Sequence, residues 1–378
     1  MNQADNQAPN QATNRAANRA GGPRFLFATG GSGGHIYPAL AVAEQAQKAG
    51  IAVSFMGQQG GMEERLVPEA GYEFVGVSAG KWDRTRPDPR QALRAAGGLW
   101  SAVAHVRRTK PDLIVGFGGF ASFPGCVAAA VTSTPLVLQE GNAFPSRVNR
   151  WFAPRARLVI STYAEALEHL RAKRHEVIPF PIREKRMDRQ EARAALGLPE
   201  GATVTLVMGG SQGSLVLNQL VPAAFELMSA SERPVVLHAS GRRWEEQLNE
   251  RTKQHGGYHV HGYVDAVAAW SAADLAITRS GVGTLSEAAF HGVPLVMVPL
   301  PSSAEDHQLF NARSVAAAGA GQVVEERELE QHPQRLSEVW WAALRPEWRQ
   351  PAAAAARERS PEGAAARILA ALRGEVNR

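Results

Sequence analysis

From Arg24 onward, short runs rich in apolar, β-branched residues alternate with helical stretches, and Gly, Pro or Asn marks most of the switches. That alternation predicts an α/β protein built around parallel sheet. Phe25–Thr29 reads as a buried strand, Gly30–Gly34 as a glycine loop and Pro38–Ala49 as a helix. Pro38 suits the first helical turn and Gly50 the residue just past the end. Further strands are predicted at Ile51–Met56, Leu113–Phe117, Leu136–Gln139 and Leu158–Ile160, and this half closes near Ile178-Pro179-Phe180-Pro181-Ile182. Asp188 stands three residues before Glu191, a capping-box spacing for a short helix ending at Gly197. Strands follow at Thr203–Met208, Val235–Ala239, Leu275–Thr278 and Leu295–Val298.

One piece of local chemistry occurs twice. A strand runs into Gly30-Gly31-Ser32-Gly33-Gly34, and almost half a chain later another runs into Gly209-Gly210-Ser211-Gln212-Gly213. The duplication predicts two similar doubly wound domains joined near Pro179–Arg183. In such sheets ligands sit outside the carboxyl ends of the strands, where these loops lie. Two such domains facing each other would bind substrates in the cleft between them.

Composition narrows the class. A chain of 378 residues, 44% hydrophobic and 20% charged, suits about two globular domains, which excludes disorder throughout, a collagen-like fibre and a disulfide-stapled mini-protein. Cys126 is the single cysteine and no Cys/His cluster shows zinc spacing, so a reducing, cytoplasmic setting is expected. No apolar run approaches the ~20 residues needed to cross a bilayer. The Asn-, Gln- and Ala-rich start lacks the apolar core of a signal peptide and reads as a disordered tail over residues 1–23.

Charge is concentrated in one place. Lys81, Arg84, Arg86, Arg90, Arg94, Arg107, Arg108 and Lys110 face only Asp83 and Asp88, an excess larger than the net +5 of the whole chain. With Trp82, Leu93, Leu99 and Trp100 interleaved, the segment suits an anionic membrane surface. Nucleic acid would accept the charge, but no helix-turn-helix or RNA-binding signature accompanies it. A solvated helix face is the plainer alternative.

The glycine loops favour anions, because a strand-to-helix turn brings backbone close to a ligand and offers unpaired N–H groups. The dinucleotide fingerprint fits poorly: counted from Gly31, the third glycine position is Ile36, and the next strand ends at Gly57-Gln58-Gln59 without an acidic ribose ligand. A phosphate-loop lysine motif is also absent from the sequence, so a nicotinamide dehydrogenase and a P-loop nucleotidase are disfavoured. His35 is a candidate general base, or a histidine that packs on the turn. Arg279-Ser280-Gly281-Val282-Gly283-Thr284-Leu285-Ser286-Glu287 can cradle a diphosphate, with Glu287 accepting from ribose hydroxyls. The same stretch contains T-x-x-E, so a plain capping box from Thr284 to Glu287 is the competing reading. Glu140-Gly141-Asn142 and Asp306-His307-Gln308 with Asn311 suit sugar hydroxyls, or serve as ordinary turns and caps.

Taken in chain order, Gly30–His35, Glu140-x-Asn142, Gly209–Gly213, Arg279-Ser280-Gly281 with Thr284 and Glu287, and His307-Gln308 with Asn311, the five motifs closely resemble the MurG family of bacterial N-acetylglucosaminyltransferases, over essentially the whole chain from Arg24. The resemblance implies the GT-B fold: two Rossmann-like, doubly wound parallel-sheet domains around a central cleft, with residues 24–182 taking the lipid-linked acceptor and 183–355 the UDP-sugar. The last helix, about 361–373, would pack back on the first domain. The implied activity is inverting transfer from UDP-N-acetylglucosamine to the 4-hydroxyl of undecaprenyl-pyrophosphoryl-N-acetylmuramoyl-pentapeptide, a step of peptidoglycan synthesis, by a peripheral enzyme on the cytoplasmic face of the cell membrane. No cofactor, metal or nucleic acid is implied. By the same resemblance His35 is the general base. Ser32, Gly33, Gly34, Asn142, Arg183, Ser211, Tyr263, Val264, Val282, Gly283, Thr284, Leu285, Ser286, Glu287, His307 and Gln308 are implied at the donor. Gly33, Gly34, Gly118 and Gly119 are implied at the acceptor pyrophosphate. Gly141 replaces the family's glutamine, and Pro179-Phe180-Pro181-Ile182-Arg183 replaces its G-N-P-V-R. Another GT-B glycolipid transferase, a UDP-sugar epimerase of the same architecture and an idle membrane-surface binding module are the alternatives.

Overall fold

A computed structural model of the chain describes residues 22–78, 89–210, 212–301 and 303–376. Residues up to Ile182 together with those from Gly363 onward form one compact unit, and Arg183–Glu362 form a second. The first unit runs β1 (Arg24–Ala28), α1 (Gly33–Lys48), β2 (Ala52–Gln58), α2 (Glu63–Glu69), β3 (Glu73–Val77) and α3 (Pro89–Thr109). It continues through β4 (Leu113–Gly116), α4 (Phe123–Thr132), β5 (Leu136–Glu140), α5 (Arg147–Phe152), β6 (Leu158–Ser161) and β7 (His175–Val177). The strand order is β3-β2-β1-β4-β5-β6-β7, parallel throughout.

The second unit runs α6 (Arg189–Ala195), β8 (Val204–Met208), α7 (Leu215–Glu226), β9 (Val235–Ala239), α8 (Glu245–Thr252), β10 (Tyr258–His261) and α9 (Ala266–Ala272). Then come β11 (Leu275–Thr278), α10 (Val282–His291), β12 (Leu295–Met297), α11 (His307–Ala317), β13 (Gly321–Val323), α12 (Glu326–Gln331), α13 (Arg335–Leu344) and α14 (Pro346–Glu358). Its sheet, also all parallel, has the order β10-β9-β8-β11-β12-β13.

Parallel sheets are covered on both faces, so their central strands read as unbroken apolar runs whose alternate residues enter two cores. In the first unit Phe25, Phe27, Phe55 and Val115 pack beneath α1, while Leu26, Met56, Ile114 and Leu138 pack beneath α3 and α4. In the second, Leu206, Ala276 and Leu295 face one way and Val207, Ile277 and Val296 the other. The last helix, α15 (Ala364–Val376), joins the first unit. Its Ala364, Ala365, Ile368, Leu369 and Leu372 enter the same core as α1, and Glu375 is paired with Arg174 at 2.6 Å.

Two helices differ from their expected bounds. α1 begins at Gly33 rather than Pro38, so Gly33, Gly34 and His35 form its first turn and Pro38 lies inside it. A proline is tolerated there because it removes only the N–H that the carbonyl of Gly34 would accept, close to the helix start. The last helix begins at Ala364, not Pro361, because Gly363 sits at φ +73°, outside helical geometry. The tail expected over 1–23 lies outside the described residues except at Gly22 and Pro23, and the Pro23 carbonyl accepts from the N–H of Ala52. The basic segment is described only from residue 89. There, Ala102, Val103 and Val106 of α3 are buried, while Arg94, Trp100, Arg107 and Arg108 are exposed.

Candidate active site

Within each sheet the strand order reverses once, between β1 and β4 in the first unit and between β8 and β11 in the second. Connections leaving neighbouring strands in opposite directions open a crevice at their carboxyl ends, and that is where ligands bind in this architecture. The glycine loops after β1 and β8 sit at these two points.

His35 occupies the first turn of α1, and its carbonyl accepts from Thr29 Oγ1 at 2.7 Å. Its imidazole lies on the loop after β4. A β-carbon on Gly119 would stand 2.8 Å from His35 Cδ2 and 3.0 Å from Nε2, and one on Gly118 would stand 3.5 Å from Cε1 and Nδ1. Gly118 and Gly119 also have φ of +79° and +71°, which other L-residues rarely adopt. The histidine and the two glycines are thus one fitted unit. Ser32 is the N-cap residue of α1 but its side chain makes no cap hydrogen bond. By contrast α5, α6, α7 and α9 are capped by Ser146, Asp188, Ser214 and Asp265. The helix bearing His35 therefore presents an uncapped, partially positive start.

Glu63 was not legible as part of this loop. Fully buried, it accepts from the N–H of Gly31 at 3.2 Å and of Gln58 at 2.8 Å. β-Carbons on Gly30, Gly57 or Gly61 would all fall within 2.7 Å of its side chain. The glycines around it make room for one carboxylate that fixes the loop from beneath.

Glu140 likewise faces inward. Its oxygens accept from the N–H of Asn142 at 2.9 Å and of Ser146 at 2.9 Å, from Asn149 Nδ2 at 2.8 Å and from Asn142 Nδ2 at 3.3 Å. Burial pushes this carboxyl above the usual range, against the pull of those hydrogen bonds. Asn149 Nδ2 also lies 3.5 Å from the Gly118 β-position, the same point that His35 reaches. Glu140, Asn149, Gly118 and His35 thus form a continuous packed series.

In the second unit Ser211 lies outside the described residues, and the helix start expected there falls at Ser214, whose Oγ accepts from the N–H of Leu217. A β-carbon on Gly213 would stand 1.8 Å from the carbonyl oxygen of Ser240, so the loops after β8 and β9 are pressed together. Behind them Asn218 Nδ2 donates to that carbonyl at 3.0 Å, which leaves its Oδ1 to accept from His238 Nε2 at 2.9 Å. His238 Nδ1 then accepts from Tyr258 OH at 2.8 Å. Burial lowers the His238 pKa to about 3, so the ring is neutral at ordinary pH.

α10 starts at Val282 with Gly281 as its N-cap residue, so it has no side-chain cap, and no acidic residue lies in its first turn. Thr284 is its third residue, so the T-x-x-E capping box does not form; instead Glu287 Oε2 accepts from Trp270 Nε1 at 3.0 Å. Gln308 Oε1 accepts from the N–H of both Ser280 and Leu300 at 3.1 Å, and Asn311 Nδ2 donates to the Ser280 carbonyl at 3.2 Å. Ser280 is clamped by its backbone while its buried hydroxyl has no hydrogen-bond partner among the described residues. Arg279 braces the same loop through the Val298 carbonyl and Glu326. Val264, Val282, Leu285 and Ser286 are buried. Gly283 and Thr284 are half-exposed, and Tyr263 and Arg183 are exposed. His307 opens α11 immediately after Glu305 and Asp306, both at left-handed φ. Among the described residues no three His, Cys, Asp or Glu side chains are grouped to hold a metal ion.

Comparison with known proteins follows the same division. Models of the glycosyltransferase family 28 N-terminal and C-terminal domains match residues 25–161 and 204–367. The chain is 45% identical over 385 aligned residues to the UDP-N-acetylglucosamine--N-acetylmuramyl-(pentapeptide) pyrophosphoryl-undecaprenol N-acetylglucosamine transferase of Deinococcus radiodurans, covering 93% of this chain and 96% of that one. It is 41% identical to the protein of the same name from Thermus thermophilus, covering 78% and 85%. Among solved structures, Acinetobacter baumannii MurG superimposes with a TM-score of 0.77 at 26% identity, covering 93% of this chain and 99% of that chain.

Proposed function

The chain belongs to glycosyltransferase family 28 and groups with the MurG N-acetylglucosaminyltransferases, and from that premise we propose that it moves N-acetylglucosamine from UDP-N-acetylglucosamine to the 4-hydroxyl of the N-acetylmuramoyl-pentapeptide carried on pyrophosphoryl-undecaprenol. The chemistry is a single displacement with inversion. The acceptor oxygen attacks the anomeric carbon, the bond to the β-phosphate oxygen breaks, and His35 takes the hydroxyl proton. The diphosphate gains charge as it leaves and is met by the N–H groups at the start of α10, held in place by Gln308 and Asn311. Preorganised donors of this kind are worth ~10²-fold or more each, and a positioned base ~10² to 10⁴-fold.

The observation that carries this reading is the seat of His35 on Gly118 and Gly119 at the switch point of the first sheet. A base there is fixed in direction and beside an uncapped helix start suited to the acceptor's pyrophosphate. Among the described residues no helix is long and apolar enough to cross a membrane. The enzyme works as a peripheral protein on the cytoplasmic face, with Trp100 and its neighbouring arginines toward the lipid.

The test is incubation with labelled UDP-N-acetylglucosamine and the lipid-linked acceptor. Labelled disaccharide lipid is expected. UDP release by hydrolysis alone, or an epimerised sugar nucleotide, would overturn the reading.

A further inference from the structure

Directly after Gly119 the chain leaves the loop against His35 and enters a run of aromatic and aliphatic side chains, of which Phe123 and Val127 rest on the core with part of their surface exposed and Phe120, Val131 and Trp151 stand mostly in solvent. Phe120 is 53% exposed and stacks parallel to Phe123, with ring centroids 6.1 Å apart and planes within 3°. Trp151 of α5, 59% exposed, meets Phe123 edge-on at 6.1 Å. Phe123, Val127 and Val131 recur every four residues along α4, so they line one side of the helix. Phe123 and Val127 are half-buried and Val131 is 53% exposed. The line from Phe123 to Val131 covers about 12 Å.

From this order of groups we infer that Phe120, Phe123, Val127, Val131 and Trp151 form a track for the first isoprene units of the acceptor's polyprenyl chain. The inference rests on the function proposed above and deepens it. In the acceptor the saccharide, the diphosphate and the polyprenyl chain follow one another covalently. On the protein His35, the Gly118–Gly119 loop and the aromatic run follow one another in the same order. With the 4-hydroxyl at His35 and the diphosphate at the glycine loop, the chain must emerge where Phe120 begins. Flat aromatic faces set around a half-buried aliphatic line suit a methyl-branched, unsaturated chain, because they remove apolar area from water without requiring a polar partner. An acyl chain of the bilayer has no covalent reason to start at this loop.

The test uses the full chain in detergent-free buffer with acceptors whose diphosphate bears either one isoprene unit or four. Wild-type kcat/KM should rise roughly tenfold or more with the longer chain, mainly through KM, since the added carbons are bound alike in ground and transition states. Phe120→Ser and Trp151→Ser should shrink that ratio to about two, whereas Phe120→Leu and Trp151→Leu should retain most of it. A chain-length ratio unchanged in both serine variants would overturn the track. So would an unchanged ratio accompanied by loss of sedimentation with phosphatidylglycerol vesicles, which would assign the surface to the bilayer. If the wild type makes no disaccharide from either acceptor, it is the function reading that fails, and the two failures are therefore distinguishable.

Discussion

His35 and Gly119 are fitted to each other: the β-carbon of any other residue at position 119 would stand only 2.8 Å from Cδ2 and 3.0 Å from Nε2 of the ring. Gly119→Ala should therefore displace the imidazole and strain a backbone already at φ +71°. Turnover should fall about 10²-fold or more, as for His35→Ala, while UDP affinity measured by calorimetry stays near wild type. Wild-type turnover in His35→Ala would remove that residue from the mechanism.

The central strands were readable because sandwiched parallel strands must be apolar on both sides, as in Phe25-Leu26-Phe27 and Leu113-Ile114-Val115. The four strands that the sequence pattern misses are β3, β7, β10 and β13, the outer strands of the two sheets. Glu73-Phe74-Val75-Gly76-Val77, His175-Glu176-Val177, Tyr258-His259-Val260-His261 and Gly321-Gln322-Val323 are short and mix polar with apolar residues because one neighbour is missing. Of the site, glycines and amide-bearing residues showed through their types. The inward carboxylates did not. Nothing local marks Glu63 as the residue that Gly30, Gly57 and Gly61 surround, since those contacts exist only after β2 lies beside β1.

The series from Glu140 to His35 makes a second prediction. Asn149→Ala removes one donor from a buried carboxylate and the packing on Gly118. Leaving such a group short of a partner costs about 1–3 kcal/mol, so the urea midpoint should fall. Because the same side chain backs the loop that seats His35, kcat should drop further than the stability loss alone explains, with the UDP dissociation constant unmoved. A lowered midpoint with normal kcat would make Asn149 a purely structural residue.

His238 gives a pH dependence with a defined sign. The folded ring resists protonation down to about pH 3, whereas the unfolded one takes up a proton near 6.5. Between those values the unfolded chain binds more protons, so stability is full above neutrality and falls as pH drops, by at most about 1.4 kcal/mol per unit from this group. His291, lowered to about 4 by burial and Arg186, adds to the same trend. Urea midpoints of the wild type and His238→Gln, compared at pH 5 and pH 7.5, should show a shallower loss in the variant. Equal losses would mean that the imidazole is not held neutral.

The membrane role proposed above predicts that binding to anionic vesicles weakens with salt, because the attraction of the exposed Arg94, Arg107 and Arg108 of α3 to anionic lipid is screened over ~10 Å at 0.1 M ionic strength. Each such charge contributes about 1 kcal/mol near an anionic surface. Co-sedimentation with phosphatidylglycerol vesicles should decline steeply from 50 to 500 mM salt. Trp100→Ser, which removes a side chain 70% exposed, should weaken binding at every salt concentration. Salt-indifferent binding would return this helix face to ordinary solvation.

Glu287 should read the nucleotide's ribose, and the position of its helix makes that testable. With Gly281 as the N-cap and the helix starting at Val282, its carboxylate has no capping duty; one oxygen accepts from Trp270, and burial raises its pKa against the opposing pull of that indole. Glu287→Ala should weaken UDP binding about 10- to 150-fold, the worth of hydrogen bonds to a charged acceptor. In the wild type, affinity should also fall as mildly acidic pH protonates the carboxyl, and Glu287→Gln should lack that component. Trp270→Phe removes the donor that stabilises the charged form, so the loss should begin at a higher pH than in the wild type. Calorimetric titration of UDP between pH 5 and pH 8 measures all four proteins, and indistinguishable profiles for wild type and Glu287→Gln would exclude this carboxylate from the nucleotide site.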